Sequence, residues 1–253
     1  MNVRLLFGTA VMVLVTLWLT VVHLSASRAV VFCAPAFLIS WGVEAVGTRS
    51  TFPFGCQYSY HPALLPLLPG NVPLFIPVAW WIFGSTPLIL LRDVTSDERG
   101  DASRPRRWLL KASLGGLFLA GCDLVLDPLA TSVEAWAWVC AGGFYGTPYL
   151  NYVGWFVVGT AIYLGYFSVR GIREQPARVT GQAFDLIWTA ANLAFLVLLG
   201  VTSCNRLGSS VPALLSFAVT GPFWARWLTL LRGRDSRLAS TTAIRRASTD
   251  VIS

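Results

Sequence analysis

Residues 109–128 read LLKASLGGLFLAGCDLVLDP. After Lys111 the run carries no charge until Asp123 and Asp127 at its far end. A stretch this long, with polar groups only at its margins, is a bilayer-crossing helix, since a span takes about 20 apolar residues. Runs of the same kind lie outward from it on both sides, at 5–24, 29–46, 72–91, 152–169, 183–201 and 210–231. Composition agrees. Of the 253 residues, 55% are hydrophobic and 12% charged, with a mean hydropathy of +0.62, against about 25% charged in a soluble domain. A water-facing fold of this size leaves too much surface exposed to hide that apolar content. The sequence therefore predicts an all-α polytopic bundle, with about seven transmembrane helices and multi-pass in the cell membrane.

The net charge of +7 comes from 19 basic residues, of which Lys111 is the only lysine. With seven spans, sixteen of them fall on one side: in the segments at 92–111 and 170–182, at Arg28, and in the tail from Arg226. Three fall on the other: Arg4, Arg49 and Arg206. Basic loops stay in the cytoplasm, so the N-terminus is expected outside and the C-terminus inside. Nucleic acid is not an expected partner. Removing the first run as a signal peptide at Ser25–Ser27 would invert every later loop, and its apolar part is longer than the usual one of about 7–15 residues. The end of the chain, RDSRLASTTAIRRASTDVIS (234–253), has no apolar periodicity. The expected organisation is one transmembrane domain over residues 1–232 and a disordered basic cytoplasmic tail over 233–253.

His23, His61 and the cysteines Cys33, Cys56, Cys122, Cys140 and Cys204 form no CxxC and no HxxxH. That spacing points to no metal site. The cysteines read first as small residues of membrane helices. Disulfides on the oxidising side stay open, without a pairing.

Charge within a span is costly and marks function by default. Glu44 ends the second run, and Asp123 and Asp127 end the fourth; both runs travel from inside to outside, so all three carboxylates reach one depth. Asp123 and Asp127, four apart, project from one helical face. Two carboxylates close together in a low dielectric share one proton more cheaply than they carry two charges. Pro128 is expected at the helix end. The plainer alternative is that these acids pair with Arg49 or cap loops at the interface.

The two loops that follow these runs are dense in Gly, Pro and aromatics. GTRSTFPFGCQYSYHPALLPLLPGN (47–71) places Phe52, Phe54, Tyr58 and Tyr60 at spacings of two or four, and the segment at 128–151 carries Trp136, Trp138, Phe144, Tyr145 and Tyr149. An interfacial aromatic belt accounts for scattered rings, but less well for Arg49, Asn151 and three acids at the same depth. A re-entrant, aromatic-lined pocket is the expectation. Each loop leads into the next run through a proline with a tryptophan seven residues on, Pro73 to Trp80 and Pro148 to Trp155, a short internal echo of repeat-built membrane proteins.

Three blocks, GTRSTFPFGCQYSYHPALLPLLPGNVPLFIPVAWW (47–81), CDLVLDP (122–128) and GGFYGTPYLNYVGWF (142–156), resemble the CruF-type carotenoid-biosynthesis membrane proteins. That family includes the bisanhydrobacterioruberin and gamma-carotene hydratases. Two positions depart from its pattern: Cys56 and Gln57 both stand between Gly55 and Tyr58, and Cys122 precedes Asp123 where a large aromatic is expected. The resemblance implies a multispan enzyme that adds water to the terminal isoprenoid double bond of an acyclic carotenoid, giving a tertiary alcohol.

That chemistry needs an acid to protonate carbon, shelter for a tertiary cation, and directed water. The expected roles are Asp123 or Glu44 as proton donor and Asp127 as base. Phe52, Phe54, Tyr58, Tyr60, Trp80, Tyr145 and Trp155 would line the cation site, where a desolvated aromatic face contributes about 2 kcal/mol. Arg49 and Asn151 would order carboxylates and water. No metal or organic cofactor is expected; the partners are the lipophilic carotenoid, membrane lipid and other enzymes of the same biosynthesis. Other classes remain. A transporter or carotenoid-binding scaffold would keep the pocket without a protonated acid. A magnesium-dependent prenyltransferase would need a second acidic cluster, and a retinal protein a lysine within a span.

Overall fold

The computed structural model describes residues 14–15, 18–91, 104–140, 142–169 and 182–250, with only the backbone given for residues 104, 182 and 233–250. Most of the first expected span, and the Arg-rich segments at 92–103 and 170–181 that carry much of the orientation argument, lie outside the described residues. Residues 18–24 are helical and stop at Ser25, whose φ of 122° breaks the helix. The chain then turns directly into α1, Ala26–Gly47. The helices that follow are α2 (Phe75–Leu90), α3 (Arg104–Ser132), α4 (Tyr149–Ser168), α5 (Gln182–Leu207) and α6 (Val211–Asp250).

Among the described residues, five helical stretches are long and apolar enough to cross a membrane: Ala26–Gly47, Pro105–Ser132, Tyr149–Ser168, Ala183–Leu207 and Val211–Arg232. The third expected run is shorter as a helix than it read. Residues 72–73 pair as a strand and α2 has 16 residues, about 24 Å at 1.5 Å each. The fourth is longer. Pro128 lies inside α3, which continues to Ser132, so the expected stop at the proline is corrected. Proline removes one hydrogen bond and clashes one turn back, and here the neighbouring packing carries the helix one turn past it.

Polarity is arranged for lipid. Outward faces show Val30, Leu38, Leu117, Val157, Ile187 and Leu198, all exposed, while Ser40, Glu44, Asp123, Asp127 and Asn151 are buried. On α1 the buried positions Ala29, Phe32, Ala36, Ser40, Glu44 and Gly47 recur at helical spacing, so Glu44 is the last polar group of an inward stripe. More than half of the apolar stretch of α3 is buried, the largest share of the five. It packs most extensively on α4, at a crossing where a Cβ on Gly159 would stand 2.9 Å from the Gly116 Cα. Small residues let membrane helices approach this closely.

The loops that follow α1 and α3 join across one end of the bundle. Strand β1 (Tyr58–Tyr60) pairs antiparallel with β4 (Trp136–Trp138), matching Tyr58 to Trp138 and Tyr60 to Trp136. Between them in sequence, β2 (Leu67–Leu68) and β3 (Val72–Pro73) form a small hairpin. Cys56 and Cys140 are joined by a disulfide, with Cα atoms 6.2 Å apart. The all-α expectation thus holds for the bundle, and the ribbon over its end is an addition that two three-residue strands did not announce.

Candidate active site

In β1, Tyr58 and Tyr60 flank Ser59, so both phenols project to one side. Both hydroxyls donate to Oε2 of Glu44, Tyr60 at 2.6 Å. Trp80 Nε1 on α2 donates to Oε1 at 2.9 Å. Three donors facing one buried side chain is the hydrogen-bond pattern of a carboxylate, which only accepts. Burial, and then the Glu44 charge, push both phenols well above their usual range, so they remain donors.

The second polar centre lies on α3 and α4. Asp123, Asp127 and Asn151 are all buried. One amide nitrogen serves both acids: Asn151 Nδ2 donates to Asp123 Oδ2 at 2.6 Å and to Asp127 Oδ2. The two amide hydrogens of Asn151 thereby tie the pair of acids together, and Asp123 Oδ1 is left without a partner among the described residues.

Glu44, Asp127 and Asn151 meet at a cavity with about 150 Å³ of room for water-sized groups. A single water needs about 10–15 Å³ by this measure, so the space has room for several water-sized groups. Its walls are aromatic: Phe54, Tyr58 and Tyr60 from one loop, Trp136 and Trp138 from the other, Phe75, Trp80 and Phe83 from α2, and Trp155 from α4. Trp80 and Trp155 stack with ring centroids 3.9 Å apart, so the two members of the proline–tryptophan echo meet face to face. Ring pairs Tyr58–Trp138 at 4.8 Å and Tyr60–Trp136 at 6.0 Å close the ribbon side. Among the described residues, no three His, Cys, Asp or Glu side chains gather as they would around a metal ion.

The sequence profile of the carotenoid biosynthesis proteins matches residues 1–222. The chain belongs to this family. It is 32% identical over 200 residues to the bisanhydrobacterioruberin hydratase of Haloarcula japonica, an alignment covering 75% of this chain and 64% of that protein. The chain thus spans less than two thirds of the relative's length. No solved structure matches it.

In this member of the carotenoid biosynthesis family, the expected residues do not all converge. Glu44, Phe54, Tyr58, Tyr60, Trp80, Asp127, Asn151 and Trp155 line the cavity. Asp123 stands behind Asp127, reached through Asn151. Arg49 is exposed and donates to the Ala45 carbonyl at 3.4 Å, away from the acids. Phe52 is 66% exposed. The Tyr145 hydroxyl bonds Ser209 at 2.5 Å, outside the cavity. The lining also includes Phe75, Ala79 and Phe83, which sequence reasoning left unassigned. Their spacing of four along α2 was the available signal, and the alternation Trp-Ala-Trp was the signal for Trp136 and Trp138.

Proposed function

We propose that the chain is a carotenoid hydratase, adding water across the terminal isoprenoid double bond of an acyclic carotenoid. One observation carries this reading: Asp127, bridged to Asp123 by Asn151, and the separately held Glu44 line one aromatic cavity. Asp127 is the proton donor, since Asp123 does not reach the cavity and Glu44 faces three donors. This replaces the expected order, in which Asp123 or Glu44 gave the proton. The alkene π pair takes the proton of Asp127 at its less substituted carbon, leaving a tertiary cation on the dimethyl carbon. The Glu44 carboxylate and the faces of Trp80 and Trp155 stabilise that cation. A water oxygen then forms the C–O bond, and its surplus proton returns to Asp127, which closes the cycle. Asp123 is a positioning residue that shares the Asn151 amide with Asp127.

The same reading completes the topology. Seven helices cross the cell membrane, the ribbon end faces outside, and residues 233–253 are a solvated cytoplasmic tail. The disulfide between the two loops supports an oxidising outer side for the ribbon.

The test is expression in a bacterium engineered to make acyclic carotenoids, with pigments analysed by chromatography and mass detection. The expected result is a mass gain of one water per modified end, reduced about 10²-fold or more in Asp127→Asn, the scale of a lost general acid. Unchanged pigments from well-folded protein would instead indicate a carotenoid-binding member without turnover.

A further inference from the structure

Four side-chain oxygens in one region are buried without a hydrogen bond of ordinary geometry among the described residues: Asp123 Oδ1, Thr131 Oγ1, Thr147 Oγ1 and the Tyr152 hydroxyl. Buried polar groups are paired with few exceptions, and ordered water accounts for many of those. Three features bring these four together. Asp123, Asp127 and Thr131 succeed each other four apart on α3, one helical face rising about 6 Å per step. Thr147 is fully buried, in a tight turn where its N–H donates to the Phe144 carbonyl at 3.0 Å and its carbonyl accepts from Phe144 at 2.8 Å. That turn packs on Thr131, since a Cβ on Gly146 would lie 3.0 Å from the Thr131 methyl. Tyr152, next to Asn151 on α4, lies within electrostatic reach of Asp123 and Asp127 and has the Thr147 side chain as a polar neighbour near hydrogen-bonding range.

None of the four groups lines the aromatic cavity; Asp127 is the residue common to both regions. The polar stripe also ends close to the protein surface. Beyond Thr131 the chain leaves α3, and Val133 and Glu134 are exposed. A buried water makes about three hydrogen bonds to groups that otherwise lack partners, and hydroxyl, phenol and carboxylate oxygens supply them here.

We propose that Asp123, Thr131, Thr147 and Tyr152 hold a file of water molecules that leads from the ribbon-end surface to the Asp123–Asp127 pair. Water and the apolar chain end then reach Asp127 from different sides. The file recharges the site with its second reactant while the aromatic walls stay dry. That use of the water rests on the hydration reading; the file itself does not.

The experiment is infrared spectroscopy of the full chain in lipid nanodiscs, transferred to D₂O. The carboxylic acid band of the aspartate pair is identified by its loss in Asp127→Asn, and its isotope shift is followed in time. The proposal expects Thr131→Val/Thr147→Val to slow exchange by about tenfold or more, the worth of about one hydrogen bond lost by a buried water. Thr131→Ser/Thr147→Ser keeps both hydroxyls and is expected to exchange at the wild-type rate. Should the valine pair fail to fold, Tyr152→Phe removes a hydroxyl while keeping the ring, and slowing is expected again. Exchange as fast in folded valine or phenylalanine variants as in wild type would overturn the proposal and bring water in through the cavity mouth. Pigments left unhydrated by wild-type protein whose exchange still depends on the threonines would overturn the hydratase reading and leave the water file standing.

Discussion

Glu44 shows how a single buried charge is made tolerable. Its two oxygens take hydrogen bonds from Tyr58, Tyr60 and Trp80, which come from a strand and from a second helix. Burial and the facing charge raise both phenols above about 10, the ordinary tyrosine value. A folded-state value above the unfolded one fixes the sign. With both phenols buried and protonated, this contribution to folded stability is fully present below pH of about 10 and is lost as pH rises through the higher folded value. Absorbance titration of tyrosinate should therefore show these two phenols ionising after the exposed ones. In Tyr58→Phe/Tyr60→Phe the late phase loses two groups. Titration of both near the ordinary value would mean that the contact to Glu44 is absent. The arrival of Glu44 near the loops was readable from the length of its run. Its donors were not, because Trp80 lies 36 residues away in sequence and nothing local links the two.

At the level of elements, the ribbon is the part least visible in the sequence. Tyr-Ser-Tyr and Trp-Ala-Trp alternate as strands do, but each is three residues long, and its partner lies beyond two helices. The apolar runs, by contrast, show themselves one at a time, so α1, α3, α4, α5 and α6 each correspond to a run read from hydropathy. Where they differ, α3 runs through Pro128 to Ser132, and the strand at Val72–Pro73 delays the start of α2. The cysteine pairing was likewise beyond reach, since Cys56 and Cys140 are separated by 84 residues. Closing a loop of that length stabilises typically by about 2–4 kcal/mol. Cys56→Ser/Cys140→Ser is expected to lower the thermal midpoint of the full chain, and reductant should do the same to wild type and nothing further to the variant. An unchanged midpoint in both would show that the β1–β4 pairing holds the loops without the bond.

For the whole molecule, the proposed orientation rests on the positive-inside count of the sequence. Ser59 is exposed on the ribbon and Ser248 belongs to the basic end of the sequence. An impermeant thiol reagent on intact cells should label Ser59→Cys above the background of Cys33, Cys122 and Cys204, the free cysteines. Ser248→Cys should react only after permeabilisation. The reverse pattern would turn the bundle over and place the disulfide in the cytoplasm.

The length of α2 bears on the membrane itself. At about 24 Å it falls short of a hydrocarbon core of about 30 Å, and it carries Phe75, Ala79, Trp80 and Phe83 of the cavity wall. Lipid meets such a mismatch by thinning locally, at a fraction of a kcal/mol per ångström. A dimple on that flank would lower the headgroup layer towards the cavity and, on the hydratase reading, would bring the depth of a long polyene closer to that of Asp127. On the hydratase reading, acyl-chain length in the host membrane is then expected to change how readily the chain end is presented.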